Sequence, residues 1–393
     1  MIYPAADTTL LPASHSARCG GRDALAAALQ DARERTLALL DACQAALGDE
    51  LRVPYSPQIN PPLWEAGHVG WFQDYWIARN RQRALGLSCQ PDHARPSGRL
   101  TEADALFNSS RVAHQSRWSL PLPSIKATRD YLAASLTDTF ALLAVSTEDA
   151  ENLYFFRLAL FHEDMHGEAG IYMAQALGIP LPDSLRPALP APTLAAAGGI
   201  AFPAQTWQLG HEGTGFAFDN ECSEHPVQVA AFRIDAAPVS WRRYLPFIEA
   251  SGHSPPRYVR HADGEWQQQR FGEWQALTLD APACHLSWQE AESWCRWAGR
   301  RLPSEAEWEL AACSDPAFAW GDVWEWTASR FAPYPGFVAH PYRDYSAPWF
   351  AEERYVLRGA SAATAPRMHH PRYRNYFTPE RNDIYAGFRS CAA

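Results

Sequence analysis

The sequence predicts a two-domain α+β protein, an N-terminal four-helix bundle followed by an irregular domain of short strands, helices and loop. Three observations predict it. The chain has 393 residues, more than one hydrophobic core ordinarily organises, so two domains are expected. Four long runs with apolar residues at helical spacing precede residue 180. Beyond Phe202 such runs shorten, β-prone pieces such as Val227 to Ile234 alternate with turns, and twelve of the sixteen tryptophans occur, which marks a core of another kind.

From Arg22 to Leu47 the residues Leu25, Leu29, Ala32, Leu37, Leu40 and Ala46 recur at helical spacing with Ala-rich filling and no proline, the pattern of a first helix. Pro61 and Pro62 suit the opening turn of a second, which Leu63 to Leu85 continues and Gly86 ends. Ser124 is a suitable N-cap for a third helix reaching Val145. Thr147 or Glu148 opens a fourth through Leu177, stopped by Gly178 and Pro180. Four such helices suggest an antiparallel bundle over residues 1–180. The connection from Ser88 to Pro123 is long for a compact domain, the mark of a segment with a task of its own. Five prolines between Pro180 and Pro192, then Gly198 and Gly199, predict a linker at 181–200 and a second domain over 201–393. No internal repeat is evident.

Hydrophobic residues make up 47% of the chain and charged ones 20%, a soluble globular composition. No uninterrupted apolar run approaches the roughly 18 residues needed to span a bilayer. The first nineteen residues carry a lone Arg18 and no basic-then-apolar pattern, so a cytoplasmic protein is expected. Eight cysteines without a CxxC pair read as reduced, small apolar residues. A net charge of −10 disfavours nucleic acid as a partner. Small molecules are the expected ligands, with neither nucleic acid nor membrane.

His162 and His166 stand four apart in the fourth helical run, so they project from one face and can clamp one metal ion. His68 in the second run can face them across an antiparallel bundle. Three neutral imidazoles would leave positions open for substrate, the requirement of a catalytic metal. A chance HxxxH within a packed core stays open as the bland alternative. Glu168 follows His166 by two, hence points about 160° away, toward a supporting or surface role. His162-Glu163-x-x-His166 also spells the zinc-peptidase signature, with Glu163 as the base.

In the C-terminal half, Arg301-Leu302-Pro303-Ser304-Glu305-Ala306-Glu307-Trp308-Glu309, Gly321-Asp322-Val323-Trp324-Glu325-Trp326-Thr327, Leu357-Arg358-Gly359-Ala360-Ser361 and Gly387-Phe388-Arg389 follow in order. Glu305 and Trp308 would begin a helix, and Trp324 and Trp326 alternate like a buried strand. Together these motifs resemble the formylglycine-generating-enzyme-like domain, a C-type-lectin-related fold. A helical bundle with His…HxxxHxE joined to it resembles the ergothioneine sulfoxide synthase and selenoneine synthase family, whose bundle is called DinB-like. The resemblance covers nearly the whole chain. It implies a non-haem iron oxidoreductase with iron(II) on His68, His162 and His166. It also implies hercynine (trimethylhistidine) at the domain junction, and dioxygen driving bond formation between imidazole C2 and sulfur or selenium.

Departures from that family pattern point to the donor. Met165 replaces a glutamine that contacts the imidazole, and Phe331 stands where a tyrosine proton donor is usual. Asn375-Tyr376-Phe377 replaces Asn-Trp-Asp, and only Arg111 and Arg117 remain of an Arg-rich loop. A γ-glutamylcysteine donor would then meet few charged partners and incur a desolvation cost of several kcal/mol. The pattern leans to selenoneine synthase with a neutral selenosugar donor, for which Trp118, Phe331 and Phe377 would offer aromatic surface. Tyr376 is expected to face the trimethylammonium, Asn375 to bind the carboxylate, Trp326 to border the same pocket, and Tyr334 to act as the catalytic proton donor. Two alternatives remain in the same chemistry or outside it: a thiol donor, as in ergothioneine synthesis, and the zinc peptidase. A metal-free lectin-like binding module is a third.

Overall fold

The computed structural model describes residues 12–188 and 199–393; half of the linker expected at 181–200 lies outside the described residues. The N-terminal half contains α1 (Pro12–Cys19), α2 (Arg22–Leu47), α3 (Pro62–Gln73), α4 (Ala103–Phe107), α5 (Ile125–Ala144) and α6 (Ala150–Leu177). Helices α2, α3, α5 and α6 form the bundle. Its buried stripe on α2, Leu25, Leu29, Ala32, Thr36, Leu39, Leu40 and Cys43, has helical spacing and includes four of the six expected residues, whereas Leu37 is half-buried and Ala46 exposed. Helix α5 starts as expected, the Ser124 hydroxyl accepting the Ala127 N–H at 3.2 Å. The cap of α6 is Asp149 rather than Thr147 or Glu148; its carboxylate accepts the Asn152 N–H at 2.8 Å. Gly178 then ends the helix in the left-handed conformation.

The second helix is shorter than expected. It keeps Pro61 and Pro62 at its start but leaves α-geometry after Gln73, widening into a π-turn over Asp74–Ala78. Helix α6 is buried nearly all round, because the bundle covers one side of it and the C-terminal domain the other. The 88–123 connection carries α4, which packs closely on α3 because Gly67 has no Cβ. A Cβ there would lie 2.2 Å from the Phe107 ring.

The C-terminal half begins with β1 (Ile200–Phe202), β2 (Gln205–Leu209), β3 (His225–Val229) and β4 (Phe232–Ile234). Helix α7 (Trp241–Ser251), strands β5 (Val259–Ala262), β6 (Glu265–Arg270) and β7 (Glu273–Ala276), and helix α8 (Trp288–Trp297) follow. The chain ends with β8 (Arg300–Arg301), α9 (Glu305–Ser314), β9 (Trp324–Arg330), β10 (Tyr355–Gly359), β11 (Asn375–Phe377), β12 (Ala386–Gly387) and β13 (Cys391–Ala392). Two four-stranded sheets, β1-β4-β13-β8 and β11-β10-β9-β12, form the centre, with β2-β3 and β5-β6-β7 beside them. Register places Leu357 opposite Trp326 and Tyr355 opposite Phe377.

The sequence motifs are mostly scaffold. Ser304 and Glu307 close a capping box at the start of α9. Glu305 pairs with Arg358 and Arg374, and Glu325 with Arg389 and the Trp308 indole, all buried. Such buried carboxylates persist because each charge is matched and hydrogen-bonded. One apolar cluster runs from Leu25 and Phe155 of the bundle to Trp241 and Trp326 of the second domain. Among the described residues all eight cysteines are free thiols, and no helix is long and apolar enough to cross a membrane.

The α6 face toward the second domain is polar and fully engaged. Glu168 accepts hydrogen bonds from the Trp324 indole N–H at 2.7 Å and from the Ser361 and Thr364 hydroxyls at 2.8 Å. Asp164 and Asp31 hold Arg367. Glu168, expected as a supporting or surface residue, thus fastens one domain to the other.

Candidate metal centre

His68 projects from α3, and His162 and His166 from α6, toward one point; their ligand nitrogens all lie within 4.8 Å of one another. Ring centroids are 4.4 to 5.0 Å apart. Each ring is held from outside. His68 Nδ1–H donates to the Phe107 carbonyl at 2.7 Å, and the ring stacks on Trp64. His166 Nδ1 bonds to Glu65, whose carboxylate also accepts from Asn60. Glu65 is three residues before His68 and so shares its side of α3. His162 lies flat on Phe72, with centroids 3.5 Å apart, and its Nε2 is buried with no partner.

This set suits a divalent transition metal. Engaging Nδ1 of His68 and His166 elsewhere leaves each Nε2 lone pair free, the arrangement that orients imidazole ligands. Burial, reinforced by the neighbouring His166, pushes His68 down to about 3 and His162 well below its usual range. Both rings are therefore neutral and able to donate lone pairs. An orphaned, buried His162 Nε2 is costly unless something occupies it.

His162 and His166 open onto a cavity of about 680 Å³ between the domains. The bundle side contributes Asn60, Arg117, Met165 and Tyr172; the C-terminal domain contributes Tyr345, Tyr373, Asn375, Tyr376 and Phe377. Ser109, Ser110 and His114, also lining it, come from the long 88–123 connection.

Comparison with known proteins accords with this layout. The hercynine oxygenase of Mycolicibacterium smegmatis is 31% identical over 439 aligned positions, spanning 94% of this chain and 98% of that one. That of Mycobacterium tuberculosis is 31% identical over 432, spanning 93% and 97%. The chain belongs to the hercynine oxygenase family. Residues 28–169 match the DinB superfamily, and 190–320 with 319–393 match the sulfatase-modifying factor enzyme 1-like domain. The formylglycine-generating enzyme of Streptomyces coelicolor is 29% identical over 160 positions, 32% of this chain and 51% of that one.

In this member of the hercynine oxygenase family, five of the expected substrate residues line the cavity: Arg117, Met165, Asn375, Tyr376 and Phe377. Arg117 is already committed. It donates to Asn60 at 2.7 Å and lies 3.9 Å over the Trp64 ring. Tyr376 donates its hydroxyl to the Tyr345 carbonyl and stacks on Phe331. Asn375 Oδ1 accepts the Tyr376 N–H at 2.9 Å, leaving its amide N–H groups free to donate.

Four expected residues do not line it. Tyr334 donates to Glu305 at 3.1 Å, accepts from Arg358 at 2.9 Å and lies under Arg374. Its hydroxyl is consumed by the buried ion-pair cluster, which corrects its expected role as proton donor. Phe331 supports Tyr376 from behind, between it and Phe350. Trp326 is core, its indole N–H bonded to the Leu286 carbonyl at 2.8 Å. Trp118 also stays outside the lining, bonded to the Val53 carbonyl.

Glu163 is not at the metal face either. Arg33 grips it through two contacts, 2.8 and 3.1 Å, and Thr36 donates to it at 2.9 Å. A peptidase base cannot work from there. Reading the sequence missed the hydroxyl pair of Tyr345 and Tyr373, 2.8 Å apart, with Tyr373 reaching the Met165 sulfur at 3.4 Å. It missed Glu65 too, although its i, i+3 spacing to His68 was a usable signal.

Proposed function

We propose that this chain is an oxygen-dependent enzyme that joins a chalcogen to imidazole C2 of hercynine, with iron(II) held by His68, His162 and His166. The reading is carried by three imidazoles whose ligand nitrogens lie within 4.8 Å of one another beside one large interdomain cavity, in a chain similar over nearly its full length to hercynine oxygenases. Bound iron supplies the one-electron chemistry of dioxygen that side chains lack. The protein's own work is binding and orientation. Asn375 N–H groups suit the hercynine carboxylate. The Tyr376 ring, with its hydroxyl tied back, suits the trimethylammonium, a cation–π contact worth up to about 2 kcal/mol when desolvated. Tyr345 and Tyr373 offer the hydroxyl protons nearest Met165, and they replace Tyr334 as the source of a proton at the substrate.

A thiol is the donor that the family likeness supports best, giving a C–S bond as in ergothioneine synthesis. One observation favours a neutral sugar donor, such as the selenosugar, over a doubly carboxylated thiol. Among the described residues Arg117 is the only arginine lining the cavity and is engaged by Asn60, whereas Glu65, Glu168 and Asp344 add carboxylates to the wall. A donor with two carboxylates gains little there, and a neutral sugar selenol or thiol loses nothing. The test is anaerobic loading with iron(II) and hercynine, then γ-glutamylcysteine, cysteine or a 1-selenosugar in separate runs, followed by oxygen and mass spectrometry. A C2-chalcogen product absent with every donor refutes the function; the donor that yields one settles the choice between sulfur and selenium.

A further inference from the structure

Behind the metal face, inside the bundle, lies a second cavity of about 40 Å³. Leu39, Leu40 and Cys43 of α2, Val69 of α3, and Met173 and Ala174 of α6 make most of its wall. Its wall also includes Glu65 and His166, which line the large interdomain cavity as well. The Glu65–His166 pair is therefore the partition between the two spaces.

The small cavity is a poor home for water. A buried water needs two to four polar partners, and the polar groups here are taken. The Thr36 hydroxyl donates to Glu163, and Glu65 is engaged by His166 and Asn60. What remains is the Cys43 thiol, held protonated by burial, and hydrocarbon. Dry apolar cavities take up small apolar gases such as xenon, and this one has room for a diatomic molecule.

We propose that this bundle cavity holds dioxygen and passes it to the metal face across the Glu65–His166 partition, separately from the large cavity through which hercynine and the donor enter. The proposal rests on the oxygen-dependent reading above and adds a route for its gaseous substrate. Two entrances let the oxygen path stay open when the organic substrates fill the interdomain space. They also keep bulk water off the metal from the bundle side.

Two measurements on the full chain test it; the xenon measurement uses no hercynine, so failure of the hercynine reading would leave it intact. Xenon pressurisation of crystals is expected to place xenon among Leu40, Cys43, Val69 and Ala174. Stopped-flow mixing of the iron(II)-loaded protein with oxygen, after saturating hercynine has filled the interdomain cavity, gives the rate constant of metal oxidation. Cys43→Phe fills the cavity from α2, away from the ligands; xenon should be lost and the rate constant should fall about tenfold, with iron affinity unchanged. Cys43→Met fills less and serves should the phenylalanine variant not fold. Xenon missing from the parent cavity overturns the proposal, and so does an unchanged rate constant in a folded variant that excludes xenon.

Discussion

Replacing Glu163 should damage the fold and spare the metal, the reverse of what its place in the sequence suggests. Successive residues of a helix turn by about 100°, so Glu163 leaves the face shared by His162 and His166 and points into the bundle toward α2. There it meets Arg33, with both side chains only 2% exposed. Arg33 has other acceptors, Gln73 at 3.0 Å and the Leu132 carbonyl, but no other carboxylate. Truncation in Glu163→Ala strands a buried guanidinium, a loss of about 3 to 5 kcal/mol. Glu163→Gln keeps acceptors for Arg33 and Thr36 and should cost about 1.5 to 3 kcal/mol, the worth of a hydrogen bond to a charged group. At roughly 2 to 4 °C per kcal/mol for a domain of this size, Glu163→Ala should lower Tm by roughly 6 to 20 °C. Thermal unfolding followed by circular dichroism, with iron stoichiometry on the same samples, measures both effects. A Tm unmoved in Glu163→Gln together with abolished turnover would refute the reasoning and return Glu163 to the role of base.

Three further outcomes follow from the geometry. Glu65→Ala frees the His166 ring and takes the acceptor from the Asn60 amide N–H, and should weaken metal binding by about 10- to 100-fold; titration with cobalt(II) or iron(II) reads this, and an unchanged affinity contradicts it. Gly67→Ala puts a methyl 2.2 Å from the Phe107 ring, so the carbonyl that fixes His68 must shift; about 1 to 3 kcal/mol of stability should go, with metal affinity falling in step. Asp219 is raised by burial to about 6 despite its bond from Ser346. Because the folded state holds this proton more tightly than the unfolded chain, stability falls as pH rises from about 4 to about 6, by about 3 kcal/mol in full. Asp219→Asn should therefore gain on the parent at pH 7 and lose that advantage at pH 4. Urea melts at the two pH values giving equal differences would sink the assignment.

Much of the fold was readable in advance because it rests on short-range chemistry. The apolar spacing on α2, the Ser124 cap and the Gly178 stop are contacts within about four residues. So is the His162 and His166 pair. His68 was reachable through one more rule, the antiparallel packing of a bundle. Two of the misreadings fall where a segment follows neither helix nor strand. Tyr334 and Phe331 occupy the chain after β9, whose path no periodicity describes, so their distance from the cavity could not be inferred. The shortening of α3 is of the same kind, since its π-turn is not announced by proline or glycine.

From residue order alone came the helices, the change of texture near residue 200, the candidate metal-site histidines and the family motifs, all carried by local spacing and composition. The meeting of domains supplied the rest. Glu168 became an anchor because Trp324, Ser361 and Thr364 arrive from more than 150 residues away. Glu163 turned inward because Arg33, 130 positions earlier, waits there. Tyr345 and Tyr373 came together at the cavity from separate loops. Partners so distant along the chain are chosen by which surfaces pack and which buried charges must be matched, and that balance is struck only once the whole molecule is assembled.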